Sequence, residues 1–209
     1  MTPTETRSGR RERTIETILD RALAIMAEVG VGGLTMTTLA RAMAIQPPSL
    51  YKYFPSVLAV HDALFLRGQR ANLDVLERAT AASEPGLPAL LAGLTATARW
   101  AVANPVLAQL LFWRPVPGFT PSEAAFAPAE RLVARLQQEL GTAVDRGQLD
   151  AEATSDEALA VLASLHFGVL SQHLANQPGR DWSSSVYTQA YARVLQLFVA
   201  GYAPGGAAS

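Results

Sequence analysis

Apolar residues recur along this chain at helical rather than strand spacing, almost from end to end. Ile15, Ile18, Leu19, Ala22, Leu23, Ile25 and Met26 form a stripe at steps of three and four, which predicts a first helix from about Arg10 to Val29. Gly30, Gly32 and Gly33 end it. Two short helices follow. Thr35 is placed to cap the first, and Leu39, Ala40 and Met43 give it an apolar face. Met43, Ala44 and Ile45 make a turn, and Pro47 and Pro48 open the second, where a missing N–H costs little. Leu50 and Phe54, one turn apart, face inward with Leu39 and Ile45.

Ser56 caps a longer helix reaching about Ala82, after which residues 83–88 break the pattern. Further helices are predicted over 89–103, 106–113, 122–146, 154–176 and 183–202, the last capped by Ser183. Residues 114–121, with Pro115, Pro117, Gly118 and Pro121, read as a loop, and Gly147 stops the helix before it. Pro128 either bends the 122–146 helix or marks its true start. No strand and no internal repeat are predicted; residues 204–209 read as a disordered tail. The fold class is all-α. The helix around Leu162–Leu170 is apolar on more than one face, and the last helix is similar, which predicts either a central position or burial against a second subunit.

Composition narrows this picture. The chain has 209 residues, 49% of them hydrophobic, and no cysteine, which rules out a disulfide scaffold and suits the cytoplasm. Residues 1–11 hold no apolar signal-like core, and no run of 18 apolar residues occurs, so neither secretion nor a membrane partner is expected. Net charge is −1, against a general nucleic-acid binder, but its distribution is uneven. Residues 1–56 carry seven basic and five acidic groups; the remainder carries ten and thirteen. Arg7, Arg10, Arg11 and Arg13 form a basic arm, either a phosphate-contacting segment or a frayed, solvated terminus.

Residues 33–58 concentrate the rest of the signal. Their two short helices and tight turn have the form of a helix-turn-helix, and the second carries Ser49, Tyr51, Lys52 and Tyr53 on outward positions. Lys52 is the chain's only lysine. The order Thr35, Leu39-Ala40, then Ala44-Ile45-Gln46-Pro47-Pro48-Ser49-Leu50-Tyr51-Lys52-Tyr53-Phe54-Pro55-Ser56 resembles the DNA-binding module of TetR/AcrR-type transcriptional regulators, over about Arg13 to Leu64. Beyond Leu64 the resemblance is one of length, helicity and pattern. Two positions depart from it. Ala44 stands where the family has Gly in the turn, so a left-handed residue there costs roughly 1–2 kcal/mol. Val57 stands where the family has Lys, which removes a phosphate contact.

The resemblance implies a homodimer on a palindromic double-stranded operator, with residues 1–56 as arm and DNA-binding domain and 57–203 as effector-binding and dimerisation domain, the two joined by a long helix. The last two long helices would pair with those of a second chain. Most simply the protein is a repressor released by a small apolar or aromatic effector; a constitutive repressor and, more remotely, an all-helical enzyme are the alternatives. DNA-binding candidates are Arg10, Arg11, Thr37, Gln46, Pro47, Pro48, Ser49, Tyr51, Lys52 and Tyr53. Of these, Pro47, Pro48, Tyr51 and Lys52 lie nearest base edges, with Thr37, Ser49, Tyr53 and the arm on phosphates.

Catalytic chemistry finds little support. His61, His166 and His173 lack metal-ligand spacing, and no nucleophile elbow, phosphate loop or dinucleotide fingerprint is present, so neither enzyme nor cofactor is expected. Trp100, Phe112, Trp113, Phe119 and Phe126 place five of fifteen aromatics in 27 residues around the proline-rich loop. That concentration marks a candidate effector site. Asn104, Gln109, Arg114 and His166 are its candidate polar anchors, His166 being either a donor to ligand or a core histidine.

Overall fold

The computed structural model describes residues 7–205. Predictions for the first six residues and for 206–209 of the tail fall outside that range. All regular structure among the described residues is helical. Two compact units emerge: residues up to Gly68 with Val106–Phe126, and Gln69–Pro105 with Ala127 onward. Packing thus divides the chain inside a helix at 68/69 and places a segment from mid-chain with the N-terminal helices.

In the first unit, α1 runs from Arg7 to Val29. The expected arm is therefore helical at Arg10–Arg13: nothing after Gly9 breaks the helix, and Thr14 and Thr17 back-bond to the Arg10 and Arg13 carbonyls. A 3-10 turn over Val31–Gly33 leads to α2, Met36–Ala42. Thr35 caps α2 as its sequence predicts. Its hydroxyl accepts from the Thr38 N–H at 3.1 Å, and the Thr38 hydroxyl accepts from the Thr35 N–H at 3.1 Å, a reciprocal capping box.

The turn that follows is a Schellman closure. Ala44 N–H donates to the Arg41 carbonyl and Ile45 N–H to the Ala40 carbonyl, with Ala44 at φ 53°. The left-handed residue foreseen for this turn is present, on an alanine. Helix α3 covers only Pro47–Leu50; bonds from Tyr53 and Phe54 N–H to the Leu50 carbonyl carry one further turn. Leu50 and Phe54 are buried with Ile18, Leu19, Ala22, Met26 and Leu39, so the apolar spacing that predicts inward faces holds.

Helix α4, Val57–Ala81, is capped by the Ser56 hydroxyl and has residues in both units. In the first unit Arg67 pairs with Asp20 at 2.6 Å and Glu16 at 3.6 Å, tying α4 to α1. His61 is buried, with Nδ1 2.9 Å from the Val57 carbonyl and Nε2 3.2 Å from the Val31 carbonyl.

The 106–126 segment also closes on α4. Gly68 leaves a space that a Cβ could not share, because it would lie 2.8 Å from Leu111 Cδ1. The predicted helix over 106–113 is α6 at Pro105–Ala108, widening into a π-helical turn at Gln109–Trp113. It ends on Arg114 in the left-handed region at φ 45°.

In the second unit α5 covers Leu87–Ala103, and α7 runs Glu123–Asp145 with its earlier residues in the first unit. Pro128 lies inside α7, at neither its start nor its end, and deprives the Ala124 carbonyl of a helical donor. Gly147 terminates α7 at φ 66° with the same Schellman pair of bonds as α2. Glu139 is buried, accepts from the Gly86 N–H at 2.8 Å and pairs with Arg135 at 2.6 Å.

Helix α8, Asp156–Asn176, begins on the Ser155 cap and packs against α5 and the helices after it. By length and composition alone it is apolar enough to cross a membrane, with mean hydropathy 1.4, which counting uninterrupted apolar residues overlooks. Buried His166 and His173 lie on it, both hydrogen-bonded to the following helices, which marks a core helix.

The single helix predicted over 183–202 is instead α9, Val186–Gln189, and α10, Tyr191–Gly201, separated at Ala190. Ser183 does not cap it; its hydroxyl donates to the Asp181 carboxylate and Ser185 takes the N-cap position. The Thr188 hydroxyl donates to the Trp182 carbonyl at 2.6 Å, with the Ser185 carbonyl 3.1 Å away.

Candidate nucleic-acid interface and aromatic segment

Capping at both ends of α2 and the proline start of α3 fix the backbone of 35–54, and the buried Leu39, Leu50 and Phe54 orient what remains. None of the ten DNA-binding candidates is buried. Arg10, Arg11, Thr37, Gln46, Pro48, Tyr51 and Lys52 are exposed; Pro47, Ser49 and Tyr53 are half-buried. Tyr51 is 51% exposed, unusual for an aromatic that could bury its ring.

The structure brings four of this set together with a fifth group. Arg10, Arg11 and Thr14 of α1 and Lys52 and Tyr53 after α3 line a cleft of ≈ 380 Å³, with the Arg11 guanidinium 5.8 Å from the centre of the Tyr53 ring. Three cations, two hydroxyls and no carboxylate line it, which suits a phosphate diester. Thr14 is the member that sequence reasoning missed; the available signal was its position one turn beyond Arg10 and Arg11 on the same helix.

The aromatic candidates do not converge in one place. Phe119 and Phe126 stack around buried Phe65, at 6.0 and 6.3 Å between ring centres. Phe119 also meets His61 at 5.9 Å. Arg114, expected as a polar anchor, ends the π-turn in the left-handed region and lies 5.9 Å over Phe65 and 5.4 Å over Phe126. Ser122 donates to the Asp62 carboxylate at 2.7 and 2.8 Å, so this segment is pinned to α4. Phe112 and Trp113 contact each other edge-on, Trp113 at 39% exposure, and Gln109 is exposed.

Trp100 and Asn104 lie in the second unit, on a groove of ≈ 540 Å³ with Val75, Ala79, Ala96 and Ala103; the Asn104 amide donates to the Trp100 carbonyl. His166 stands apart from that groove as a core histidine. Its Nδ1 is 2.6 Å from the Tyr191 hydroxyl, which donates to the Leu94 carbonyl at 3.1 Å, so Nδ1 carries the proton. Burial pushes the His166 pKa down to about 4 and that of Tyr191 up. Burial also lowers that of His173, which is 2.9 Å from the Ser185 hydroxyl. Among the described residues no cluster of side chains has the makings of a metal site.

Comparison with known proteins agrees with this geometry. A family model for bacterial regulatory proteins of the tetR family matches residues 18–59, and one for the tetracyclin repressor-like C-terminal domain matches residues 90–200. No curated protein matches. A solved structure of a protein with unknown function from Rhodococcus sp. RHA1 is 20% identical, TM-score 0.76, over 97% of this chain and 100% of that one. The TetR family transcriptional regulator PfmR from Thermus thermophilus is 20% identical, TM-score 0.66, over 88% and 97%. The transcriptional regulator FadR from Bacillus subtilis, in complex with stearoyl-CoA, is 15% identical, TM-score 0.67, over 88% and 97%. With an exposed helix-turn-helix beside a cationic cleft, and family models matching residues 18–59 and 90–200, the chain belongs to the TetR family of DNA-binding transcriptional regulators.

Proposed function

We propose that this regulator is a cytoplasmic homodimeric repressor whose grip on a palindromic operator is loosened by a small effector. The observation that carries the DNA half is the cleft formed by Arg10, Arg11, Thr14, Lys52 and Tyr53. One strand's phosphates lie in it while Pro47, Pro48, Tyr51 and Lys52 meet base edges in the major groove and Thr37, Gln46 and Ser49 hold the flanks. Two reading heads sit about one helical turn apart, roughly 34–36 Å. The dimer is supported by apolar side chains left exposed on the last helices: Val161, Phe167, Val186 and Leu197, at 36–61% exposure.

Effector control is supported by the 106–126 segment. It grips α4 through Leu111 against Gly68 and Ser122 on Asp62, and α4 follows the reading helix directly in the chain. An effector that displaces this segment tilts α4 and changes the spacing of the two heads. A coupling of roughly 1–3 kcal/mol gives a 5–150-fold loss of operator affinity. The division of labour is residues 1–56 for DNA and 57–203 for effector and partner.

The constitutive reading is favoured by one observation, the tight core that Phe119 and Phe126 make with Phe65. The two are separated by selecting an operator from random DNA, then titrating it with the wild type and with the Tyr51→Ala/Lys52→Ala variant, with and without compounds that raise the melting temperature. Specific binding by the double variant should fall by roughly tenfold or more, with circular dichroism unchanged. Binding retained within about threefold would remove this head from DNA. A stabilising compound that leaves operator affinity untouched would leave the constitutive repressor.

A further inference from the structure

The geometry points to a binding site for an amphipathic organic acid on the second unit, centred on Arg99. This deepens the effector reading above and rests on it only for the consequence of binding, not for binding itself. Arg99 and Ala103 belong to the walls of two adjoining clefts. One, of ≈ 540 Å³, has apolar walls from Val75 and Ala79 of α4 and Ala96, Trp100 and Ala103 of α5, with Arg78 and Asn104 at its edge. The other, of ≈ 510 Å³, is built from Arg99, Val102 and Ala103 of α5 and from Pro178–Trp182. Either is large enough for a small ligand.

The two clefts differ in chemistry, and Arg99 is where they meet. Its guanidinium lies 4.8 Å from the centre of the Trp182 ring, a cation–π contact that holds an exposed fork of N–H donors of the kind that binds carboxylates. Arg180 adds a second cation to the same cleft. Neither arginine has a carboxylate within ion-pair distance among the described residues, whereas Arg78 is engaged by Asp74. The cleft's one acid, Asp181, is turned into its own loop. It accepts from the N–H groups of Ser183 and Ser184 and the Ser183 hydroxyl. The Ser184 and Ser183 side chains, and then their backbone N–H groups, hold its pKa below the usual carboxylate range. The ligand that matches is an anion with an apolar body: the body lies along Val75, Ala79, Ala96 and Trp100, and the carboxylate meets Arg99 and Arg180.

Calorimetric titration of the full chain with 2-naphthoate and decanoate, each against its neutral amide, tests the site. Both acids should bind, and the amides should bind at least tenfold more weakly. Arg180→Gln, on an exposed loop, should weaken the acids about fivefold and leave the amides unchanged; Arg99→Gln should weaken the acids further. Arg99→Lys keeps the charge, loses the planar fork, and serves if the glutamine variant does not fold. Equal binding of acid and amide, binding unchanged in the arginine variants, or no heat from any probe at millimolar concentration would each overturn the site. Operator titration in parallel separates the two readings. Acid binding without operator release upholds the site and ends effector control by it. Operator release by another compound, undiminished in the Arg99→Gln/Arg180→Gln variant, upholds effector control and places it elsewhere.

Discussion

At the scale of single residues, the alanine in the helix-turn-helix turn carries a measurable cost. Ala44 holds φ 53° with no contact that rewards its methyl group, since it is exposed. A left-handed conformation costs a non-glycine residue roughly 1–2 kcal/mol, and glycine gives back about 0.5–1 kcal/mol in unfolded-chain entropy. Ala44→Gly should therefore raise the unfolding free energy by about 0.5–1 kcal/mol in urea titration, with operator affinity retained. A neutral or destabilised variant would show that the turn is relaxed as it stands. Lys52, Tyr51 and Ser49 were legible from sequence because buried Leu50 and Phe54 leave them only the outer face. Arg114 was legible as a polar group of the aromatic segment, but its place over Phe65 and Phe126 was not, because that depends on a left-handed turn that no residue type announces.

At the scale of elements, the joint between α8 and the helices after it is held by two uncharged histidines. The folded-state pKa of His166 lies near 4 against an ordinary value of 6.5, so the unfolded chain takes up its proton first. The stability this group contributes is complete above pH 6.5 and is lost as pH falls toward 4. At 1.36 kcal/mol per unit, the loss amounts to about 2 kcal/mol by pH 5. His166→Gln should remove that slope: wild type and variant should converge in urea stability between pH 7.5 and pH 5. Parallel pH profiles would mean that His166 is charged in the fold. Tyr191→Phe should cost about 1–3 kcal/mol at pH 7.5, because it strips a partner from both His166 and the Leu94 carbonyl. Most helices and many of their boundaries were readable from apolar periodicity and caps, as the Thr35, Ser56 and Gly147 termini show. What periodicity cannot register is a local change of hydrogen-bond register, and so the break at Ala190 between α9 and α10 and the π-turn at 109–113 went unseen.

At the scale of the molecule, the exposed apolar residues of α8, α9 and α10 predict self-association. Phe167→Asp with Leu197→Glu should shift sedimentation from dimer to monomer at micromolar protein while leaving helicity intact, both side chains being exposed in the single chain. Leu170 is unsuitable for such a test, since it is fully buried and a charge there would unfold the unit. A wild type that sediments as a monomer would remove the palindromic operator as well. Apolar periodicity foretold the helical class and the residue order over 35–56 the family, whereas the 106–126 segment joins the first unit through contacts made 40 and more residues away in sequence, which periodicity does not register. One compositional accident has a use of its own. The chain's sole lysine lies on the reading head, so an amine-reactive acylating reagent has one side-chain target, Lys52, besides the terminal amine. Its rate of modification, followed by mass spectrometry, becomes a single-site footprint: operator should protect it, effector should unmask it, and acylation itself should silence the regulator by erasing that charge.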